Sequence, residues 1–302
     1  MGFSATDAAF EGFRVVRRAP LTIVFWSLFY LACFAAIFAV AGPAFIRMQA
    51  LTQAMQGAEP SLAELQAVGQ SFAWIFFLAL PIMLLLGAVL NAAIVRSVLN
   101  PGDRALGYLR IGGDEGRVLV TSLVVGLVMF LAMIGVYLVL IGLGVAAYTT
   151  GQGWLWLVLV VCGLAGFAAV IWLSVRLSLA SPIAVAEKRI APFASFALTR
   201  GRFWPLLGMA LLAGVMSMLV SLLASIVAMP VTLVVGGMER LAAYEGQDIL
   251  TIITRGWPIL LGWGLVQSIT SALQAAVLYA PFSAAYQGIK GPTVEQQEAV
   301  FD

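Results

Sequence analysis

The sequence predicts an all-α integral membrane protein with six transmembrane helices in three hairpins, each preceded by a cytoplasmic interfacial helix or link. Of 302 residues, 62% are hydrophobic and 10% are charged, whereas soluble domains carry about 25% charged residues. The apolar residues fall into six runs, each long enough to cross a bilayer. Lys and Arg concentrate in alternate joints between these runs, as the positive-inside rule describes.

The predicted spans form a single polytopic membrane domain over residues 1–302. They cover about 21–41, 72–95, 118–148, 154–180, 205–235 and 257–286. The first run is longer than the roughly 7–15 apolar residues of a signal peptide, so we expect it to be retained. Ser61 and Glu64 have the spacing of a capping box and predict a helix start before span two. A short helix is expected over 238–244, in the last joint.

The basic residues predict how the chain is oriented. Thirteen of the 16 Lys and Arg residues fall in 1–20, 96–117, 176–202 and 287–302, on the same side of the predicted spans. This bias places those four segments, and with them both termini, in the cytoplasm.

The first residues, 4–18, predict an amphipathic interfacial helix. Its polar stripe consists of Asp7, Glu11, Arg14 and Arg18, and its apolar face of Phe3, Phe10, Phe13 and Val16. A helix with two such faces can lie in the membrane surface with its arginines at phosphate level.

Parts of the hairpin unit recur along the chain and predict an internal repeat. Arg17–Leu21 aligns with Arg202–Leu206 at the entry to spans one and five, each with a Pro-Leu pair. At the ends of spans two and four, Arg96 and Arg176 each precede a proline by five or six residues. Proline ends a helix, and an arginine at this position can extend to the lipid phosphates.

Residue types that support catalysis are sparse. The chain has no histidine, and all 14 acidic residues lie in tails or joints. Cys33 and Cys162 lie in apolar runs, where they are typical packing residues. We therefore expect no catalytic residues, no metal site and no cofactor. A membrane-surface enzyme that uses Glu187 or Glu239 is the weakest alternative.

The segment from Pro182 to Leu206 carries a motif. It contains Pro182, Glu187 and then Ser-Phe-Ala-Leu-Thr-Arg-Gly-Arg-Phe-Trp over 195–204. This motif resembles the cytoplasmic signature of bacterial six-helix inner-membrane proteins, similar to the membrane domain of some glycerophosphodiester phosphodiesterases. In those enzymes a separate soluble barrel performs the hydrolysis, and this chain has no room for it. The resemblance implies a bacterial membrane module without that activity.

Two functions follow as hypotheses. The first is a non-enzymatic inner-membrane module that binds anionic lipid, a partner protein or a second copy of itself through a basic cytoplasmic belt. Its expected contacts are Arg14, Arg17, Arg18, Glu187, Arg189, Arg200 and Arg202. The second is a carrier or flippase-like pathway for a lipid or other amphipathic molecule, without ion coupling. Its cavity could be lined by Asn91, Ser178, Gln267, Ser271 and Gln274. These polar residues could equally bond one helix to another. Neither function involves nucleic acid.

Overall fold

The computed structural model describes residues 4–55, 61–102, 105–247 and 249–291. The described residues form ten α-helices and two short 3-10 segments, with no β-strand among them. Six helices within these ranges are long and apolar enough to cross a membrane. The prediction of an all-α, six-span membrane protein is therefore confirmed.

The long helices form three hairpins, each made of two consecutive helices that pack against each other. The pairs are α3 (Pro20–Ala54) with α4 (Leu62–Leu99), α5 (Gly113–Thr150) with α6 (Trp154–Leu177), and α9 (Phe203–Val235) with α10 (Ile249–Lys290). Short helices precede the first and third hairpins. They are α1 (Ala5–Ala9), α2 (Glu11–Arg18), α7 (Ala180–Ala186) and α8 (Ala194–Leu198). A 3-10 turn, Ala105–Tyr108, precedes the second hairpin, and another covers Met238–Tyr244 as predicted.

Local signals explain where the long helices begin. Ser61 and Glu64 form the predicted capping box, in which each side chain accepts from the other residue's backbone N–H. Pro20 stands in the first turn of α3, where its missing N–H costs nothing. The helices run past the predicted spans because polar flanks continue the helical hydrogen bonding. Span four is the exception, since α6 ends at Leu177 rather than at residue 180.

Helix α10 is the centre of the bundle. It packs against α3, α4 and α9, and also against the short helices α1, α2 and α7. The α5–α6 hairpin lies at the side and reaches the rest of the bundle through α4, α7, α8 and α9.

Packing is densest at one end of the bundle, which we call the basic end. This end carries the short helices α1, α2, α7 and α8, together with the last turns of α4 and α10. Residues 92–99 of α4 are buried on every side there. Two of the three apolar clusters lie at the same end, and a smaller one joins Ile46, Leu241, Ile252 and Ile259 at the opposite end.

Helix α7 is part of this core. Pro182, Ile183, Ala184 and Val185 are all buried, because α7 is inserted between α4, α5 and α10. In this region Trp26 is also fully buried and donates from its indole Nε1 to the carbonyl oxygen of Gly107 at 2.7 Å. The first span thereby holds the 3-10 turn that precedes the second hairpin.

Candidate lipid-contact surface and membrane cleft

The polar stripe of α1 and α2 is paired within itself. The guanidinium of Arg14 contacts Asp7 at 2.7 Å and Glu11 at 2.9 Å, and Arg18 pairs with the other carboxylate oxygen of Glu11. Glu11 is buried and pairs with two arginines, so it is the centre of this four-residue network. Arg17 is exposed and has no acidic partner among the described residues. Of the three arginines predicted to contact lipid here, only Arg17 is not already neutralised.

The buried face of these two helices includes three small residues. Ala8 and Ala9 are buried, and Gly12 approaches α10 so closely that a Cβ there would lie 2.5 Å from the carbonyl oxygen of Ala276. Phe10 and Phe13 point away from the bundle and are each 40% exposed. Phe3 lies outside the described residues. The helices are therefore fixed to protein on one face and present aromatic rings on the other.

Arg96 and Arg176 turn into the protein rather than towards the bilayer surface. Arg96 pairs with buried Glu115 and donates to the carbonyl oxygen of Tyr108. Arg176 donates to the carbonyl oxygen of Phe196 at 3.2 Å and lies over the ring of Trp172 at 5.4 Å. The expectation that both arginines extend to phosphate is wrong. Each one instead holds the segment that follows its own hairpin.

The serine of the Ser195–Trp204 motif has a structural role, because its side chain bonds to backbone groups at the end of α6 and the start of α7. Ser195 is fully buried; its hydroxyl donates to the carbonyl oxygen of Arg176 at 2.6 Å and accepts from the Leu179 N–H at 3.2 Å. Thr199, also buried, donates to the Ser195 carbonyl oxygen at 2.8 Å. The Ser195 hydroxyl therefore holds the break between α6 and α7, and the Thr199 hydroxyl accepts from the Arg176 guanidinium at 3.4 Å.

Glu187, directly after α7, joins the segment between the second and third hairpins to the end of α10. Its carboxylate accepts from Arg189 Nε at 2.7 Å and from the Tyr286 hydroxyl at 3.2 Å, and it pairs with Lys290. Partial burial works against ionisation of Glu187, but the hydrogen bonds from Lys290 and Arg189 outweigh it and lower the pKa of the carboxyl. Glu187 and Arg189 therefore belong to an internal cluster.

The remaining cations of this segment are exposed. Lys188, Arg200 and Arg202 have no acidic partner among the described residues. Trp204, which is 77% exposed, and Phe193 lie on the same segment. Gly201 has a φ of 75°, in the region that favours glycine, and this lets the chain turn from α8 into α9. We call these five side chains, from Lys188 to Trp204, the basic–aromatic patch.

A cleft of about 280 Å³ lies between α4, α5, α6, α7 and α10. Helices α5, α6 and α10 each contribute one face, because their lining residues recur three or four positions apart, and α4 contributes Asn91. The lining residues are Asn91, Val125, Met129, Ser174, Leu177, Ser178, Ser181, Pro182, Tyr279, Phe282 and Ser283. The Asn91 amide donates to the Ser181 hydroxyl at 3.3 Å. The cleft is thus a mixed surface of apolar groups and uncharged hydrogen-bonding groups.

The predicted cavity residues divide between two places. Asn91 and Ser178 line the cleft, whereas Gln267, Ser271 and Gln274 lie further along α10 and do not. Gln267 donates to Ser271 one turn away at 3.3 Å, which is a contact within the helix. Sequence reasoning did not select Ser181, Tyr279 and Ser283. Ser181 follows Ser178 by three positions, and Ser283 follows Tyr279 by four. This helical spacing could have indicated all three residues.

No group of three or more His, Cys, Asp or Glu residues close enough to hold a metal occurs in the described ranges. No family model, curated protein or solved structure matches the chain. The fold is that of a multi-pass helical membrane protein, and it carries the basic–aromatic patch and the cleft. The resemblance at Pro182–Leu206 stays a prediction that depends on those residues alone.

Proposed function

We propose that the protein is a non-enzymatic module of the bacterial inner membrane that binds anionic lipid through the basic–aromatic patch. In this proposal the basic end faces the cytoplasm, and Arg17 with Phe10 and Phe13 adds a second, smaller contact.

The observation that carries the proposal is the contrast between paired and unpaired cations at one end of the molecule. Arg14, Arg18 and Arg189 are neutralised by neighbouring carboxylates, whereas Lys188 and Arg200 have no such partner in the described chain. A cation near an anionic membrane surface contributes about 1 kcal/mol, and this falls with salt.

The aromatic residues of the patch support a lipid surface as the target. Tryptophan prefers the headgroup level, where its ring is in hydrocarbon and its N–H can bond to water or lipid. Trp204 and Phe193 would insert beside the cations, as in other membrane-surface segments. The acidic residues that the structure describes at this end, Asp7, Glu11, Asp114, Glu115 and Glu187, all pair with arginine or lysine, which favours a binding role.

The test is lipid binding by the full chain with matched charge changes. The triple variant Lys188→Gln, Arg200→Gln, Arg202→Gln removes three positive charges from the patch. The control variant Arg47→Gln, Arg240→Gln, Arg255→Gln removes three exposed positive charges from the opposite end. Native mass spectrometry of both, purified in the same detergent with added phosphatidylglycerol, reports bound lipid directly.

We expect the patch variant to lose most bound phosphatidylglycerol and the control to keep it. Equal lipid retention by the two variants would overturn the proposal. Loss of a co-purifying protein subunit with lipid unchanged would instead assign the patch to a protein partner.

The second candidate function is the carrier or flippase-like pathway. The cleft favours it, because a pathway needs a polar-lined space within the spans. At about 280 Å³ the cleft is slightly smaller than the roughly 300–1,000 Å³ typical of ligand sites, and residues 92–99 of α4 fill the bundle at the basic end.

A further inference from the structure

The hydroxyl of Ser283 is the starting point for assigning a ligand to the cleft. In an apolar helix a serine or threonine hydroxyl normally donates to the carbonyl oxygen three or four residues earlier. Ser178 does so at 2.8 Å and Thr270 does so at 2.8 Å. Ser283 is fully buried, lines the cleft, and its hydroxyl has no hydrogen-bond partner in the described protein. A buried hydroxyl without a partner costs about 1–3 kcal/mol, so a partner that occupies the cleft would recover it.

The lining determines the charge of that partner. The cleft offers four serine hydroxyls, the phenol of Tyr279 and the amide of Asn91, and none of its lining residues is ionisable at neutral pH. The nearest cation along α6 is Arg176, which does not line the cleft and whose guanidinium is held by the Phe196 carbonyl oxygen and the Trp172 ring. An anionic group would be buried here without a counter-charge, which costs several kcal/mol. The fitting group is therefore uncharged and can both donate and accept hydrogen bonds.

The exposure of the lining residues shows from which side the partner enters. Ser174 and Tyr279 are exposed at the side of the bundle, Tyr279 by 42%, whereas Ser283 and Leu177 are buried at the inner limit of the cleft. Both exposed residues lie within membrane-spanning helices, so the mouth opens towards lipid. A cleft of about 280 Å³ suits a small headgroup rather than a whole lipid.

We propose that the cleft binds the hydroxyl headgroup of an uncharged lipid, whose acyl chain stays outside against the exposed apolar faces of the hairpins. The headgroup donates to or accepts from Ser283 at the inner limit of the cleft, and Asn91 and Tyr279 provide further contacts. This site is separate from the basic–aromatic patch and does not depend on it.

The test is photo-crosslinking of the full chain in phosphatidylcholine nanodiscs. The probe is a monoacylglycerol with a diazirine in its acyl chain. The matched probe is the fatty acid of the same chain, which ends in a carboxylate. Peptide mapping should place the monoacylglycerol adducts on α5, α6 and α10 next to the mouth, with much weaker labelling by the fatty acid.

Three variants make the test specific to the cleft. Ser283→Ala removes the unpartnered hydroxyl and should lower labelling about 2- to 10-fold, the range expected for one net hydrogen bond. Ser178→Leu fills the cleft and should abolish labelling even if Ser283→Ala proves unstable. Ser221→Leu, on the exposed face of α9, is the control and should label as the wild type does.

Equal labelling by the two probes, or labelling unchanged by both cleft variants, would overturn the proposal. Full competition by free glycerol in solution would also overturn it, because the site would then belong to a water-soluble polyol.

Discussion

At the scale of single residues, ionic groups in this protein mainly hold the chain to itself. Arg96 and Glu115 form a buried pair that joins the end of α4 to the start of α5. Removal of one partner of such a pair leaves a buried charge and typically costs about 3–5 kcal/mol. Glu11 is also buried and holds Arg14 and Arg18 at once, but these arginines are 40% and 44% exposed, so water screens the pairs and their contribution is smaller. The basic end is therefore less cationic towards its surroundings than its count of arginines suggests.

Glu187 gives stability a dependence on acid pH. Because its pKa is lowered in the folded protein from the ordinary 4.5, the ionised form stabilises the fold. The contribution is complete above pH 4.5 and is lost as pH falls from there through the lowered pKa. It amounts to about 1 kcal/mol, because the partner cations Arg189 and Lys290 are half-exposed.

The measurement is the Tm in detergent between pH 3 and 7. The variant Glu187→Gln should be less stable than the wild type at pH 7 and should match it at the acid limit. Glu245→Gln, an exposed carboxylate of the opposite end, is the control and should follow the wild-type profile. A constant difference between Glu187→Gln and wild type across the range would contradict the assignment.

At the scale of elements, the short helices are docked through small residues. Helix α2 reaches α10 because Gly12 has no side chain. Helix α7 packs against α4, α5 and α10, and the burial of Ile183, Ala184 and Val185 makes it a core element.

Replacement of Gly12 by Ala tests this docking. The new methyl group would meet backbone atoms of Ala276 and Val277 at 2.5 Å, and backbone cannot move aside as a flexible side chain can. We expect a loss of about 1–3 kcal/mol, the usual range for overpacking, measured as a lower Tm and faster proteolysis near the N-terminus.

Gly208→Ala is the matched control, since a Cβ at Gly208 meets nothing within 4 Å. It should leave the Tm unchanged or raise it slightly, because alanine favours a helix over glycine. If both variants behave alike, α2 does not depend on close contact with α10.

Elements whose signals are local could be predicted from the sequence, and those set by distant partners could not. The capping box at Ser61 and the 3-10 segment from Met238 are determined by residues that are close in sequence. The inward turn of Arg96 depends on Glu115, and that of Arg176 depends on Phe196, so neither could be seen in its own flank. The cleft shows the same division. Asn91 and Ser178 could be selected for their polarity alone. The buried, unpartnered hydroxyl of Ser283 could not, because the cleft that it lines is formed by five helices.

At the scale of the whole molecule, the two ends differ in both packing and charge. The orientation that we propose, with the basic end in the cytoplasm, can be tested by cysteine labelling in intact cells. The background is Cys33→Ala with Cys162→Ala. An impermeant maleimide should label Glu245→Cys in intact cells, but Arg200→Cys only after the membrane is opened. The reverse pattern would contradict the proposed orientation. Both side chains are exposed, so accessibility of the thiol within the protein does not limit either result.

The central position of α10 has a consequence for the order of events during synthesis. Helices α1, α2, α3 and α4 all pack against α10, yet α10 follows them in the chain by about 150 residues or more. At about 5–20 residues per second, the first hairpin waits on the order of 10 s or longer for its main partner. During that interval Gly12 of α2 does not yet meet Ala276 and Val277 of α10, and Glu187 does not yet pair with Lys290. The nascent protein therefore waits in the membrane without the contacts that join the first hairpin to α10, and its final step is the arrival of the helix against which α1, α2, α3, α4, α7 and α9 pack.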